Sequence, residues 1–445
     1  MVNLFIVLIV LAISIFLFKK ASGTLAPNKL NMISYIFYLF IVQTYIGASL
    51  IFLGLRKHYL VEKILNPSTI DKTYYMVAYT AIMFPLVMYL TAKLIKVDIG
   101  KSYNDYLKKN IEVIDEKYEF ITVLTVCIIC IFSVIYMFIK IGYVPFIDLV
   151  LHNDPHRFMT KRIELTNNFP GNQYIKNIIA MNFTPILSYI TFVYAKNTKK
   201  AKWIILFLIM FVCTVFVKTY NYSKSPLAFY IFGFVFLLII TSKGISKKNL
   251  IKVFIASIAV IVVMYLKIGY YFNSGLHIYS GPLGRIFYTQ VATLFLHVDL
   301  FPAFLPFLHG KSLYPTILHL LGSNETYVRS GKIVMDFYNP EGVFNGVAGV
   351  MNTIFIGEAY ANFGMIGTII APIYVGIVCQ LVFILFLKMK KTPINIGFFV
   401  SIILTFGTMS QAGFTDFIYN STVISVFLLL LAMNIIINLF KKIAK

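Results

Sequence analysis

Residues 121–138 read ITVLTVCIICIFSVIYMF, a stretch of eighteen positions without one charged side chain. A helix needs about 20 apolar residues to cross the roughly 30 Å hydrocarbon core of a bilayer. No glycine or proline interrupts the stretch, and the Cys127-x-x-Cys130 pair within it has no turn or strand pattern around it. We therefore predict a membrane-spanning helix in which both cysteines have packing roles.

The same pattern recurs along the whole chain of 445 residues. Apolar residues make up 59% of the sequence and charged residues 13%, and the mean hydropathy is +0.82. A water-soluble globular domain carries about 25% charged residues, so the composition excludes one. The sequence predicts an all-α polytopic membrane protein that forms a single integral membrane domain over residues 1–445.

The apolar runs predict about eleven to thirteen transmembrane helices. Segments 284–306 and 346–362 are ambiguous because they carry ionisable residues, so each is a full span, a re-entrant segment or an interfacial helix. These residues are Arg285, His297, Asp299 and Glu358. An inner segment at 97–118 is predicted to form a helix on the cytoplasmic leaflet. The clear spans lie at about 2–18, 30–55, 74–96, 119–141, 176–195, 203–218, 226–242, 250–270, 364–388, 394–412 and 416–440.

The formal net charge of +22 predicts membrane orientation rather than a nucleic-acid partner. Lysine pairs between apolar runs are typical of cytoplasmic loops. With the N-terminus outside, alternation places all five arginines and all seven histidines on the outer side. Arg329 is outside if neither ambiguous segment crosses, whereas residues 307–345 become cytoplasmic if both cross. Because the orientation rule treats lysine and arginine alike, the arginine distribution indicates a function for guanidinium.

Two long extracytoplasmic regions are predicted, at 142–175 and at 271–347, and they hold most of the polar residues. The second includes the candidate membrane-embedded helix 284–306. Loops of this length are usually functional. We expect both regions to contain short amphipathic or re-entrant helices.

In the first region, Arg157 and Arg162 lie five residues apart beside His156. Guanidinium stays charged and binds phosphate in a bidentate fork. These residues are predicted to clamp a phosphorylated or pyrophosphorylated lipid head. The alternative is a basic rim that contacts anionic lipids.

In the second region, Thr289, Thr293 and His297 follow Arg285 at four-residue intervals. In a helix these residues line one face, and a polar face on an apolar helix should point to a cavity. The alternative is hydrogen bonding between helices.

Farther along, Arg329, Lys332, Asp336 and Glu341 mix cations with carboxylates. If they converge, the cations would stabilise a leaving group and the carboxylates would abstract a proton. The alternative for each residue is a place in a solvated loop without a catalytic role.

Glu358 lies in GEAYANFGMIG, at the start of a membrane run where an ionised carboxylate is costly. It is predicted to be a functional acid, and the alternative is that it pairs with an arginine to brace the loop. The chain lacks the Walker A, Rossmann, HExxH and GxSxG motifs, and Pro155 spoils the helical spacing of His152 and His156 for zinc. No cofactor or metal is therefore predicted.

Together these features resemble the Wzy-type polymerases, the oligosaccharide repeat unit polymerases of O-antigen and capsule assembly. The resemblance covers the whole chain in architecture: many spans, abundant lysine, and outer loops that carry arginine. In motif it covers the GR-x-x-x-x-Q pattern at 284–290 and GEAYANFG-x-x-G at 357–367. The family's arginine-x10-glycine loop pattern is not reproduced, since Arg162 precedes Gly171 by nine residues.

The resemblance implies a metal-independent glycosyltransferase at the outer face of the bacterial inner membrane. Its donor and acceptor would be oligosaccharides linked to undecaprenyl pyrophosphate, and a chain-length regulator would be a partner. The candidate catalytic residues are Arg285, His297, Arg329, Asp336, Glu341 and Glu358. The candidate substrate-binding residues are His156, Arg157, Arg162, Thr289, Gln290, Thr293, Lys332, Tyr360 and Asn362.

Two other functions remain open from the sequence. An O-antigen ligase would use the same lipid donor and would also depend on arginines, but its acceptor differs. A flippase or transporter for lipid-linked sugar would also need a charged cavity, but it should show two similar halves with broken helices in matching positions, and the sequence has no such symmetry.

Overall fold

The structure, a computed structural model, is entirely helical in its regular elements over the residues it describes. Those residues are 2–152, 154–246, 248–249, 251–252, 255, 277–320, 322, 325–346 and 348–443. The predicted all-α polytopic fold is confirmed. The predicted span at 250–270 lies almost wholly outside the described residues.

We number the helices in chain order. They are α1 Val2–Ser22, α2 Met32–Phe52, α3 Ser68–Leu94, α4 Ile99–Lys108, α5 Glu116–Ile141, α6 Pro145–Leu151, α7 Pro155–Asn167, α8 Ile175–Thr198, α9 Ala201–Lys218, α10 Ser225–Thr241, α11 281–300, α12 Pro315–Leu320, α13 Ser330–Tyr338, α14 Pro340–Phe344, α15 Phe355–Lys388, α16 Pro393–Met409, α17 Thr415–Ile418 and α18 Ser421–Ile443.

Eight helices within the described ranges are long and apolar enough to cross a membrane. They are α1, α2, α3, α5, α8, α9, α15 and the segment Thr415–Phe440, which comprises α17 and most of α18. Helices α10 and α16 are apolar but shorter, and they correspond to the predicted spans at 226–242 and 394–412. The structure thus gives a multi-pass helical architecture.

Helix α11 does not cross the bundle, because both of its ends meet the same interhelical loop. Tyr288, near its start, donates to the carbonyl of Leu55, and Asp299, near its end, accepts from the backbone N–H of Leu65. Leu55 and Leu65 both belong to the loop between α2 and α3. The ambiguous segment 284–306 is therefore a helix that lies within one end of the bundle.

The second ambiguous segment, 346–362, is not a separate span either. Its residues 348–354 are irregular, and Phe355 begins a helix that continues to Lys388. Because neither ambiguous segment crosses by itself, Arg329 lies at the same end of the bundle as the loop between α2 and α3.

The connections rich in lysine meet at one end, which we call the lysine end: residues 23–31, 95–115, 199–200, 242–249 and 389–392. Lys29 donates to Asn104, and the Lys391 ammonium donates to the carbonyls of Leu107 and Lys109, each at 2.9 Å. Carbonyl acceptors satisfy this buried ammonium without a carboxylate. These contacts join loops that are far apart in sequence.

The opposite end, which we call the arginine end, comprises the described residues within 53–67, 142–174, 219–224, 277–354 and 410–420. Asn221 donates to Thr166 at 3.1 Å, and Gln290 donates to the carbonyl of Gln411 at 2.9 Å. All five arginines of the chain lie at this end. The predicted partition of arginines to one side thus corresponds to one end of the bundle.

Helix α4 forms within the predicted segment 97–118 but covers only Ile99–Lys108, and its apolar face is covered by protein rather than by lipid. Tyr103 and Tyr106 are each 1% exposed. The Tyr103 hydroxyl donates to the carbonyl of Leu30, and the Tyr106 ring meets Phe399 edge to face. Neighbouring helices cover this face because their own loops fold over it at the lysine end.

Two close contacts fix the packing of the bundle. Gly47 in α2 lies where a Cβ would be 1.8 Å from the carbonyl oxygen of Phe287, so α11 approaches the backbone of α2 directly. Near the lysine end, Trp203, the one tryptophan of the chain, stacks on Tyr194 with ring centroids 3.9 Å apart.

Candidate functional site

A polar cleft of about 150 Å³ lies at the arginine end, between α11, α13, the start of α15 and the turn before α17. It contains three of the predicted catalytic residues, Arg329, Glu358 and His297, which come from three separate segments of the sequence. Its other lining residues are Tyr314, Tyr327, Ser330, Gly331, Met351, Asn352, Thr353, Gly413, Thr415 and Asp416. We call it the cleft.

Glu358 lies on the first turn of α15 and is 5% exposed. Ser312 Oγ donates to its Oε1 at 2.8 Å, and Thr415 donates to its Oε2 through both the backbone N–H and Oγ1, each at 3.0 Å. A buried carboxylate needs such donors. Glu358 therefore fastens the turn at Thr415 to α15, and its lone pairs are largely used by protein donors.

A kink in α15 supports this arrangement. Gly364 has φ +60° and ψ −143°, which interrupts the helix and frees the carbonyls of Ala361 and Asn362. Leu308 and His309 donate their backbone N–H groups to these carbonyls at 2.9 and 3.0 Å. The kink thus anchors the connection that carries Ser312 against Glu358.

Asn362 completes the same anchor. Its Nδ2 donates to Ser312 Oγ at 2.6 Å, and its Oδ1 accepts from the backbone N–H of Gly310 at 3.0 Å. Since Asn362 is fully buried, the structure places this predicted substrate-binding residue behind the cleft, where it positions the loop.

Asp416 is the second carboxylate of the cleft. Tyr314 donates to its Oδ1 at 3.1 Å, and the backbone N–H of Gly413 donates to its Oδ2 at 3.2 Å. Each oxygen thus has one protein donor and keeps acceptor capacity. Asp416 is only partly buried, so it is the carboxylate better placed to accept a proton from a bound molecule.

Arg329 lies just before α13 and is exposed. Its Nη2 donates to Oδ1 of Asn352 at 2.7 Å. Asn352 in turn is fixed because its carbonyl accepts from Thr293 Oγ1 of α11 at 2.7 Å. The guanidinium is therefore held at the cleft by a side chain whose own backbone is tied to α11.

Two tyrosines form one wall of the cleft. The rings of Tyr314 and Tyr327 lie 6.1 Å apart and are nearly parallel, at 7°. Burial, followed by the charge of Asp416, raises the pKa of Tyr314. Burial also raises the pKa of Tyr327, against the opposing charge of Arg329. Both phenols are therefore neutral at pH 7, and the charged groups of the cleft are close enough to act on them.

His297, on α11, is fully buried and points an unpartnered nitrogen into the cleft. Its Nδ1 lies 2.7 Å from the carbonyl of Thr293, which can only accept, so Nδ1 carries the proton. Nε2 has no hydrogen-bond partner among the described residues. Burial lowers the pKa of His297 to about 4, so at pH 7 Nε2 is an acceptor.

A second group of cations, which we call the cationic cluster, contains Arg162, Lys224 and Arg285. Burial, together with the charges of Arg285 and Arg162, lowers the pKa of Lys224 to about 8. Arg162 and Arg285 come from the two predicted outer regions, and both are exposed. Three like charges brought together at a surface favour binding of a polyanion.

The cleft and the cationic cluster are linked by α11. Arg285 and His297 lie on this one helix, twelve residues apart, so they are separated by about 18 Å along its axis. Between them, Thr289 lies 3.4 Å from His58 and Thr293 donates to Asn352. The predicted polar stripe of α11 thus bonds to two non-helical segments, at His58 and Asn352, and reaches the cleft at His297.

Arg157 lies outside both groups. It donates to Oδ1 of Asp148 at 2.8 Å, and Lys161 donates to Oδ2 at 3.2 Å. His152 lies 3.0 Å from the same carboxylate, and Tyr222 donates to it at 2.5 Å. Asp148 thus joins α6, α7 and the loop before α10. The side chain of His156 lies outside the described residues.

The remaining predicted residues do not line the cleft. Lys332 and Asp336 pair with each other at 2.6 Å on the exposed face of α13. Glu341 is exposed in α14. Tyr360 is fully buried and donates to the carbonyl of Phe301 at 3.0 Å. Gln290 joins α11 to residue 411 through its side-chain amide, as described above.

Sequence reasoning missed Asp416, Asn352 and the two tyrosines. Asp416 did carry a usable signal, because it begins the predicted span 416–440 and is thus an acid at a membrane boundary, as Glu358 is. The tyrosines and Asn352 carry no signal of this kind, since polar and aromatic residues are common in outer loops. Within the described residues no group of three or more His, Cys, Asp or Glu side chains has a geometry that could hold a metal ion.

No family model matches the chain, and comparisons with curated proteins and with solved structures find no match.

Proposed function

We propose that the chain is a glycosyltransferase that polymerises oligosaccharide repeat units linked to undecaprenyl pyrophosphate, at the outer face of the bacterial inner membrane. The observation that carries the proposal is the cleft, in which a fixed guanidinium and a partly accessible carboxylate occupy one small volume. The sequence resemblance described above supplies the substrate class. The lysine-rich end would face the cytoplasm, which puts the cleft outside.

The proposed reaction is a displacement at the anomeric carbon of the donor. A hydroxyl of the acceptor sugar forms a bond to that carbon while the bond from the carbon to the pyrophosphate oxygen breaks. The pyrophosphate leaves with the electron pair, and the hydroxyl proton passes to a carboxylate. Developing charge on the pyrophosphate needs fixed cations, and proton transfer needs a base within hydrogen-bond reach.

Within the cleft, Asp416 is our candidate for the base because each of its oxygens keeps acceptor capacity. Arg329 is our candidate for stabilising the leaving group. Glu358 is assigned a positioning role, since Ser312 and Thr415 occupy its oxygens. The faces of Tyr314 and Tyr327 would pack against a sugar ring, because aromatic faces offer flat apolar area beside polar groups.

The cationic cluster would hold the pyrophosphate of the second lipid-linked substrate. Polymerisation joins two molecules that both carry a pyrophosphate, so it calls for two anion sites. The cluster carries three cations and the cleft carries the guanidinium of Arg329, and the rise of α11 separates the two sites by about 18 Å. That spacing leaves room for a short oligosaccharide between them.

The test is complementation of a strain that lacks this gene, with surface polysaccharide separated by size on a gel. Asp416→Asn keeps the shape of the side chain and removes the base, and Arg329→Ala removes the guanidinium. We expect either variant to collapse the ladder to a single repeat, since loss of a general base costs about 100-fold or more in rate. Protein amount in the membrane is measured by immunoblot.

The matched controls are Asp105→Asn and Arg56→Ala, which alter exposed residues away from the cleft. These should keep the ladder. A full ladder from both Asp416→Asn and Arg329→Ala, at normal protein level, would refute the assignment of the cleft.

The same deletion strain separates the polymerase from the ligase. Loss of a polymerase leaves single repeats on the final acceptor, whereas loss of a ligase leaves long chains on the carrier lipid. A transporter would instead leave repeat units on the inner leaflet, where an external glycan-binding protein does not reach them.

A further inference from the structure

A second cavity, of about 290 Å³, lies between α8, α9, α10, α16 and α18 and is separate from the cleft. Its lining is mostly apolar but includes hydroxyl and amide groups from Asn182, Ser401, Thr405 and Thr422. Ligand pockets start at about 300 Å³, so this volume suits a head group rather than a whole lipid.

One charged side chain, Lys218, lines this cavity. Its Nζ donates to the carbonyl of Met181 at 3.0 Å. Met181 lies in the π-helical stretch Ile175–Phe183, and residue 185, which would be its donor in an α-helix, is a proline without a backbone N–H. The lysine thus donates to a carbonyl in an irregular part of α8.

The carbonyl uses one of the three N–H donors of the ammonium and does not neutralise its charge. No carboxylate forms an ion pair with Lys218 in the part of the chain that the structure describes. Lys218 is partly buried, and a cation that is shielded from water is costly unless an anion compensates it. The cavity beside it offers room for that anion, and its hydroxyl groups can donate to phosphate oxygens.

The surroundings of the cavity favour the same ligand. Ser225 lines the cavity and directly follows Lys224 of the cationic cluster. An anion that approaches the cavity from the arginine end therefore meets a positive potential first. The apolar helices around the cavity would leave hydrocarbon tails in contact with the bilayer.

We infer that this cavity binds the anionic, phosphate-bearing head of an amphiphilic lipid, with Lys218 as the charged contact. The ligand could be a membrane phospholipid or an isoprenoid pyrophosphate, which share this chemistry. The inference does not rest on the proposed transferase activity, because it concerns binding at a cavity apart from the cleft.

The experiment is native mass spectrometry of the purified full-length protein in detergent, with three added lipids. Phosphatidylglycerol and geranylgeranyl pyrophosphate carry phosphate, whereas diacylglycerol has tails alone. Lys218→Gln keeps an N–H donor for Met181 and removes the charge, and Lys218→Arg keeps the charge. The matched control is Lys196→Gln, which lies at the end of α8 opposite to Met181. The Lys196 ammonium donates to the hydroxyls of Thr241 and Ser242.

We expect Lys218→Gln to weaken binding of the phosphate-bearing lipid by about tenfold or more, while Lys218→Arg and Lys196→Gln bind like the unaltered protein. Ser401→Leu, which fills the cavity and leaves Lys218 intact, should weaken binding as well, and thermal unfolding confirms that each variant is folded. A preference for one of the two phosphate-bearing lipids identifies the source of the ligand.

Two results would overturn the inference. One is equal binding of diacylglycerol and the phosphate-bearing lipids. The other is unchanged affinity in folded Lys218→Gln and Ser401→Leu. Loss of polymer in the gel test with intact lipid binding, or the reverse, would show that the two proposals fail independently.

Discussion

The carboxylate of Asp148 holds several segments of the arginine end together. This carboxylate joins segments 74 residues apart in sequence, through Tyr222. Burial of the carboxylate opposes its ionisation, but hydrogen bonds from Tyr222 and Lys161, and the charges of Lys161 and Arg157, outweigh burial and lower the pKa of Asp148. The ionised form is therefore favoured in the folded state.

This linkage gives a pH prediction with a definite sign. A carboxylate whose pKa is lowered by folding contributes stability above its ordinary pKa of about 4, and that stability is lost as the pH falls through the folded-state value. Asp148→Asn should cost about 1–3 kcal/mol at pH 7, because the buried hydroxyl of Tyr222 loses a charged acceptor. The difference in thermal unfolding midpoint between Asp148→Asn and the unaltered protein should shrink at pH 3.

The matched control for this prediction is Asp105→Asn, which alters an exposed aspartate at the lysine end. Asp105→Asn should have the same unfolding midpoint as the unaltered protein at pH 7 and at pH 3. A stability difference for Asp148→Asn that is the same at pH 7 and pH 3 would contradict the assigned role of the ionised carboxylate.

Among the elements, α15 fastens two of the segments that line the cleft, through Ser312 and Thr415. Its first turn presents Glu358, and its kink at Gly364 provides the carbonyls that hold residues 308 and 309. A straight helix would use those carbonyls internally. The loop that carries Ser312 would then lose its attachment, so the cleft depends on an interruption of α15 rather than on its regular part.

We predict that Gly364→Ala lowers thermal stability. The backbone at φ +60° and ψ −143° is accessible almost only to glycine, and holding another residue there costs about 1–3 kcal/mol. A Cβ at this position would also lie 3.0 Å from the ring of Phe307. The measurement is the unfolding midpoint in detergent.

Gly100→Ala in α4 is the control for the kink, because the nearest atom to its Cβ would lie at 3.5 Å, an ordinary contact. This substitution should be neutral or slightly stabilising. Equal unfolding midpoints for Gly364→Ala and Gly100→Ala would show that the backbone at residue 364 does not require glycine.

For the whole molecule, the dominant feature is the division between the lysine end and the arginine end. Lysine loops converge at one end through bonds such as that of Lys391 with Leu107, and the arginines, the cleft and the cationic cluster lie at the other. We propose, from the positive-inside bias, that the lysine end faces the cytoplasm.

Cysteine labelling tests this orientation. Asn345→Cys places a thiol on an exposed position of the arginine end, and Lys390→Cys places one on an exposed position of the lysine end. A membrane-impermeant maleimide should label Asn345→Cys in intact cells and Lys390→Cys only after permeabilisation. The unaltered protein, whose four cysteines all lie within helices, measures the background. The opposite pattern would reverse the orientation and put the cleft in the cytoplasm.

The sequence predicted the helical membrane class because hydrophobic length has one dominant interpretation. The predicted span boundaries lie within a few residues of most described helices, as at 119–141 against Glu116–Ile141. Two predicted starts are wrong, because α3 begins at Ser68 rather than at 74 and α15 begins at Phe355 rather than at 364. The sequence left segments 284–306 and 346–362 undecided, since whether an apolar segment crosses depends on which loop its ends meet. In the structure Asp299 and Tyr288 decide that question for α11.

The sequence predicts a polar site with arginine and carboxylate side chains, but it identifies only some of the residues that line the cleft. Arg329, Glu358 and His297 were chosen on separate grounds, and the structure brings them to one cleft. Lys332 and Asp336, chosen on the same loop, pair with each other instead. Contacts between residues far apart in the sequence determine which polar residues converge. Ser312 and Glu358 are 46 positions apart, and Thr415 and Glu358 are 57 apart, so no local pattern encodes these contacts.

The stack of Trp203 on Tyr194 has a consequence for spectroscopy. Since it is the one indole of the chain and is fully buried, intrinsic emission excited at long ultraviolet wavelengths reports the junction of α8 and α9 near the lysine end. Ligands at the opposite end of the bundle would leave that emission unchanged, so the native fluorophore serves as an internal reference for a second dye attached beside the cleft.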